Sequence, residues 1–77
     1  MAIKVWTKSN CTQCEQTKRF LNKVKIKYVE LSLEQNPEDV KRFIDMGLKS
    51  APIVETDSDI WSGFNIAKLN KLIEESM

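Results

Sequence analysis

A change of periodicity that happens twice narrows the possible folds more than any other feature of this chain. Residues Ala2–Trp6, "AIKVW", form a short, mostly apolar run whose β-branched Ile3 and Val5 suit a buried strand. From about Thr12 to Val24 the spacing becomes helical, with Cys14, Thr17, Leu21 and Val24 in register and charges between them. The same alternation then repeats. "KYVELSL" returns to strand character, with Val29 and Leu31 on one face, and "NPEDVKRFIDMG" is a well-punctuated helix. There Asn36 suits the N-cap, Pro37 the first helical position, Glu38 and Asp39 the positive end, and Gly47 the stop. Two strands joined through a helix run parallel, because the crossover returns the chain to the same end of the sheet. Two further short strands, "PIVET" and "DIWS", flank a turn at Asp57 and Ser58 and should pair as an antiparallel hairpin. From Asn65 to about Ser76, the residues Ile66, Leu69, Leu72 and Ile73 line one helical face. The expected fold is therefore α/β with order βαβαββα. Its four-stranded mixed sheet has β1 central and helices on both faces.

The 77 residues make one domain, 1–77, and 42% hydrophobic content supports a single core with a thin margin of stability. A net charge of +1 leaves no electrostatic footprint for nucleic acid. The lysines of Lys23–Lys27 alternate with Val24 and Ile26, as where a helix end runs into a strand with the lysines solvated. No run approaches the ~18 apolar residues of a membrane helix. "MAIKVWTKSN" lacks the basic start and long apolar stretch of an export signal, so a cytoplasmic location is expected. Thiols there are kept reduced, which argues against a permanent disulfide.

That matters for "KSNCTQCEQTK", which holds both cysteines, Cys11 and Cys14. As a staple the pair would close a very small loop, and small loops constrain the unfolded chain least. As a metal site it lacks partners, since structural zinc takes four Cys or His ligands and the chain has no histidine and only these two cysteines. As a reagent it is well placed, just after a buried strand and just before a helix. With Cys11 as N-cap, Cys14 falls at N3 and its N–H points at the Cys11 sulfur. Hydrogen bonding and the positive helix end would then lower the thiol pKa of Cys11, and Lys8 would add favourable charge. Cys14, on the apolar stripe, should be buried. Cys11 would attack a disulfide and Cys14 would resolve the mixed disulfide. A competing local arrangement makes Thr12 the cap, with Glu15 closing a capping box.

The element order, "CTQC" after the first strand, "SAPIV" before the hairpin and "WSGF" (Trp61–Phe64) together resemble the thioredoxin-fold redoxins. More narrowly, they resemble the glutaredoxin-like NrdH redoxins, hydrogen donors of class Ib ribonucleotide reductase. The resemblance spans nearly the full chain. It implies a thioredoxin-like fold, a cis Ala51–Pro52 peptide beside the dithiol, and an Ala51 backbone able to pair with an extended substrate segment. It further implies a partner-binding surface from Lys8, Thr12, Gln13, Ala51, Pro52, Trp61, Ser62, Gly63 and Phe64. Gly63 suggests positive φ or close backbone approach. Thr12 stands where the family usually has valine, and Asn65-Ile66 where it commonly has Arg-Pro.

The implied activity is that of a thiol–disulfide oxidoreductase acting as electron donor, with no metal and no cofactor. The implied partners are thioredoxin reductase and class Ib ribonucleotide reductase, and a monomer is expected. The rival within the fold is a glutathione-dependent glutaredoxin. A glutathione ammonium wants a carboxylate, yet "SGFNIAK" supplies none after Gly63, and Gln13 stands where such proteins carry an active-site tyrosine. The rival outside it is a binding module whose cysteines hold metal or are incidental.

Overall fold

The computed structural model describes residues 3–75. Its elements are β1 (Lys4–Thr7), α1 (Thr12–Lys23), β2 (Val29–Ser32), α2 (Pro37–Asp45), β3 (Ile53–Glu55), β4 (Ile60–Ser62) and α3 (Ile66–Glu75), in the expected order. Ala2 and Ser76, assigned by pattern to the first strand and the last helix, lie outside the described residues. The strands form one four-stranded sheet in the order β2-β1-β3-β4. β1 is interior, parallel to β2 from Lys4↔Val29 to Thr7↔Ser32 and antiparallel to β3 through Val5↔Val54. β3 and β4 form the hairpin. It closes where the Thr56 N–H donates to the Asp59 carbonyl at 2.8 Å.

Alternation along β1 and β3 divides the core in two. Val5 and Val54 face one side, where Leu21 of α1, Trp61 of β4 and Leu69 and Leu72 of α3 pack around them. Trp6 and Ile53 face the other side and meet Phe43 of α2, whose ring stands edge-on to Trp6 at 5.2 Å. So α1 and α3 cover one face of the sheet and α2 covers the other.

Three local expectations are revised. Val29 is 54% exposed, whereas Leu31 packs against the Trp6 cluster; β2 is an edge strand, and only its second half is covered. Ile66 is 47% exposed, so the packing of α3 begins at Leu69, a turn later than the pattern indicates. Asn36 precedes α2 but makes no cap hydrogen bond; its Nδ2 donates instead to the Ser32 carbonyl at 2.7 Å.

The two crossover helices end alike. In α2 the Leu48 N–H bonds the Phe43 carbonyl at 2.8 Å and the Gly47 N–H bonds Ile44 at 2.9 Å, with Gly47 at φ 84°. In α1 the Ile26 N–H bonds Leu21 at 3.0 Å and the Lys25 N–H bonds Asn22 at 3.2 Å, with Lys25 at φ 61°. Both are Schellman closures, one with the usual glycine and one with a lysine.

Candidate active site

Between β1 and α1, Lys8–Cys11 turn the chain from strand to helix. Asn10 makes the turn at φ 55°, a left-handed conformation that asparagine tolerates better than most residues. Ser9 anchors it from outside, its N–H and hydroxyl both donating to Glu34 Oε1 at 3.1 and 2.8 Å. Cys11 then takes the extended N-cap conformation, φ −115° and ψ 103°.

The Cys11 sulfur accepts the Cys14 N–H at 3.1 Å. This is the first of the two expected capping arrangements. Thr12 is instead the first helical residue, and the Glu15 carboxylate turns outward to Lys18 at 3.1 Å. Cys11 and Cys14 are joined as a disulfide, their Cα atoms 5.2 Å apart. Once that bond opens, the same N–H and the positive end of α1 favour a thiolate on Cys11. The two sulfurs differ sharply in access. Cys11 is half-buried and shares a surface hollow with Asn10, Thr12 and Glu15, whereas Cys14 is 1% exposed. An incoming disulfide can reach only Cys11.

A polar network braces the base of this junction. Glu30 of β2 accepts from the Thr7 hydroxyl at 2.9 Å and from Lys18 Nζ at 3.0 Å. Lys18, and to a lesser degree the Thr7 hydroxyl, holds the Glu30 carboxyl below its ordinary range. Glu30 first, and Glu15 second, raise the Lys18 pKa in return. Glu15 is the acidic group of the first turn of α1, and its pairing with Lys18 draws it along the helix, leaving the dipole end to the sulfur.

The remaining expected site residues fall into a connected chain. The Ala51–Pro52 peptide is cis, and Pro52 is buried. The Pro52 carbonyl accepts the Gly63 N–H at 2.7 Å, fastening the "WSGF" segment to the proline. Gly63 lies at φ 81°, and a Cβ there would stand 3.1 Å from Gln13 Oε1, so positive φ and close approach both apply. Gln13 Oε1 in turn accepts the Phe64 N–H at 3.0 Å. Gln13 is thus a bridge from the first turn of α1 to the loop before α3, a role its position in the sequence does not reveal.

Ser62 is half-buried and Phe64 is 37% exposed. Trp61, which the resemblance includes in the partner-binding surface, has its side chain in the core on the α1/α3 face, 6% exposed, with Lys68 Nζ 5.7 Å from the ring centroid. It holds the loop from within. Thr12 is exposed on the first turn of α1. Lys8 lies at a groove of about 120 Å³ lined by Phe43, Ile44, Leu48, Ala51 and Ile53. Asn10 and Glu34 are absent from the sequence-based site; an asparagine directly before a cysteine that caps a helix is the signal that would have marked Asn10. Among the described residues, no group of three or more Cys, Asp or Glu side chains is arranged to hold a metal ion. Nor is any helix long and apolar enough to cross a membrane.

The glutaredoxin family model matches residues 3–61. The glutaredoxin-like protein NrdH of Lactococcus lactis subsp. cremoris is 36% identical over 70 residues, covering 91% of this chain and 97% of that protein. The Escherichia coli K12 NrdH is 28% identical over 72 residues, covering 94% and 89%. Among solved structures, the NrdH-redoxin of Escherichia coli, described as having a thioredoxin-like activity profile, superposes with a TM-score of 0.89 at 28% identity and covers 94% and 95% of the two chains. The thioredoxin-like protein BC3987 superposes with a TM-score of 0.78 at 31% identity, covering 91% and 97%. The fold is thioredoxin-like.

Proposed function

Because this chain belongs to the glutaredoxin family, as an NrdH-type redox protein, we propose that it carries electrons from thioredoxin reductase to a disulfide of a class Ib ribonucleotide reductase. The observation that carries this reading is the unequal pair: a capped, reachable Cys11 sulfur with Cys14 buried behind it. In the reduced protein the Cys11 thiolate attacks one sulfur of the partner disulfide. That bond breaks, a Cys11–partner bond forms, and the released partner thiolate takes up a proton. Cys14 then loses its proton and attacks the Cys11 sulfur, closing the intramolecular disulfide and releasing the second partner thiolate, which is protonated in turn. Two electrons leave the protein together with the Cys14 proton; the proton on the first partner thiol comes from solvent, because Cys11 enters the exchange as the thiolate. The reductase restores the dithiol by the reverse exchange.

The Ala51 backbone, Gln13, Ser62, Gly63 and Phe64 would receive the partner segment around Cys11, by a short strand-like pairing at Ala51. Lys8 and Thr12 would contribute from the rim. A carrier must dissociate after each exchange, which suits a small surface of modest affinity. We place the protein in the cytoplasm, acting as a monomer. Reduction by thioredoxin reductase is supported by the thioredoxin-like activity profile of the Escherichia coli neighbour. It is also supported by the segment after Gly63, Phe64–Lys68, which offers no carboxylate to a glutathione ammonium.

The test supplies NADPH with thioredoxin reductase in one arm, and NADPH with glutathione and glutathione reductase in the other. Reduction of a ribonucleotide reductase disulfide should proceed in the first arm and be slight in the second. Efficient turnover through glutathione alone would make the protein a glutathione-dependent glutaredoxin.

A further inference from the structure

Burying a hydroxyl without a partner forfeits its hydrogen bonds to water, and native proteins rarely tolerate that without cause. Among the described residues, three buried polar side-chain atoms have no hydrogen-bond partner: Trp6 Nε1, Trp61 Nε1 and Thr17 Oγ1. The two indoles belong to large aromatic side chains wedged into the apolar clusters, where the ring accounts for the burial. Thr17 has no such excuse. It is 0% exposed, on the face of α1 that also buries Cys14 and Leu21. A valine would fill the same space without the orphaned hydroxyl. A threonine in a helix can also satisfy itself by bonding the carbonyl one turn back, and Thr17 does not.

Thr17 lies three residues after Cys14, and side chains at that spacing are neighbours on a helix surface. In the structure the Cys14 sulfur is bound to Cys11, so it carries neither charge nor proton. When the disulfide opens, Cys14 becomes a thiol or thiolate in a dry interior, 1% exposed, where a charge without a donor is strongly disfavoured.

We propose that Thr17 is a positioning residue for the resolving step: its hydroxyl, unpartnered in the disulfide form, donates to the Cys14 sulfur in the dithiol form. This rests on the dithiol-carrier reading above and adds a second donor to it. Cys11 has the Cys14 N–H and the helix end; Cys14 has Thr17. The hydroxyl favours the reduced protein over the oxidised one. It also lets Cys14 reach the thiolate needed to attack Cys11, the step that releases the partner. The electron and proton balance is unchanged, because Thr17 keeps its proton throughout.

The experiment equilibrates the protein with dithiothreitol and needs neither the reductase nor ribonucleotide reductase, so its outcome is independent of which partners are correct. Thr17→Val should fold, and its oxidised form should melt at or above the parent temperature while its reduced form melts lower. The equilibrium constant for forming the Cys11–Cys14 disulfide should rise by about three- to tenfold, the latter being ~30 mV for a two-electron couple. Thr17→Ser keeps the hydroxyl and should hold that constant within about twofold, even if the lost methyl lowers both melting temperatures. In a Cys11→Ser background, where Cys14 titrates alone, adding Thr17→Val should raise the Cys14 pKa by about half a unit to one unit, and adding Thr17→Ser should not. Should Thr17→Val fail to fold, a Thr17→Ser protein whose redox constant and Cys14 pKa match those of Thr17→Ala would overturn the proposal. So would a Thr17→Val protein whose two redox forms shift together and whose constant equals the parent's.

Discussion

At the junction of β1 with α1 a sulfur caps the helix, the Cys14 N–H donating to Cys11 at 3.1 Å. At the junction of β2 with α2 an amide occupies the equivalent position and caps nothing; Asn36 turns its Nδ2 back to the Ser32 carbonyl. The first-turn charges differ too. Glu38 and Asp39 stand in the opening turn of α2 and offset its positive end, and Pro37 removes one of the free N–H groups. In α1 the acidic first-turn residue, Glu15, is held by Lys18, and the helix end is left to the sulfur. The far ends reverse the pattern, since α2 closes on Gly47 and α1 on a lysine held at φ 61°. α2 lacks a side-chain cap at its first end but has acidic residues there, and it closes on an unstrained glycine. α1 is capped at its first end by the sulfur that does the chemistry and closes on a lysine in a left-handed conformation.

The largest way to break this comparison is to remove the reactive cap. Cys11→Ser should lower partner-disulfide reduction by at least ~10³-fold, since the nucleophile is gone. Cys14→Ser should still attack but should accumulate a mixed disulfide through Cys11, visible by mass spectrometry of the intact adduct. Asn36→Ala, at the corresponding position of the second junction, should leave turnover unchanged within about twofold. Comparable turnover loss in Asn36→Ala and Cys11→Ser would erase the distinction between the junctions.

The helix ends give a smaller effect of opposite sign on the two sides. Gly47→Ala meets no atom within 4 Å, so its cost is purely conformational, about 1–2 kcal/mol for a left-handed non-glycine residue. Lys25→Gly should relieve the same strain at the end of α1, offset by the greater freedom of glycine in the unfolded chain, for a net gain of about 0.5 kcal/mol. Thermal melts resolve both, because 1 kcal/mol moves the midpoint of a domain this size by roughly 4–8 °C. If the two substitutions move the midpoint in the same direction, the helix ends are not alike.

The smallest effect concerns the network beneath the first junction. The Glu30 carboxyl is depressed by Lys18 and by the Thr7 hydroxyl, so its contribution is present above the ordinary carboxylate pKa of about 4 and is lost as pH falls through the lower folded value. The Lys18 pKa is raised, so its contribution persists below the ordinary lysine value and fades only as pH rises past the folded one. Stability should therefore be flat through neutral pH and decline in acid. Glu30→Gln should lower the plateau slightly and shrink the acid decline. The change is modest because the pair is solvent-screened. An acid decline as steep in Glu30→Gln as in the parent would assign it to other carboxylates.

Element order, strand direction and the cysteine pair were legible because each depends on local pattern: the change of period at Trp6–Thr12, Pro37 and Gly47 as punctuation, and the two-residue gap within C-x-x-C. The N-cap of α1 was legible only as a choice between Cys11 and Thr12; the structure takes Cys11, whose sulfur accepts the Cys14 N–H. Asn36 was misread because Asn is a good cap in isolation, while here Ser32 competes for its side chain.

What no local pattern contains is contact between distant segments. Trp61 reads equally well as a surface aromatic or a core one, and it becomes a core residue only because α3 packs over β4 on the face that Val5 and Val54 share. Gln13 and Phe64 are 51 residues apart, and their hydrogen bond exists only because the Pro52 carbonyl brings Gly63 beside the first turn of α1. Thr17 follows the same logic. Its helical face is written in the sequence, but that its hydroxyl is buried without a partner depends on how α1 lies against the sheet. Periodicity sets which way a side chain points along its own element. Which neighbour it then meets, and whether a polar atom is left unpaired, is set by packing between elements.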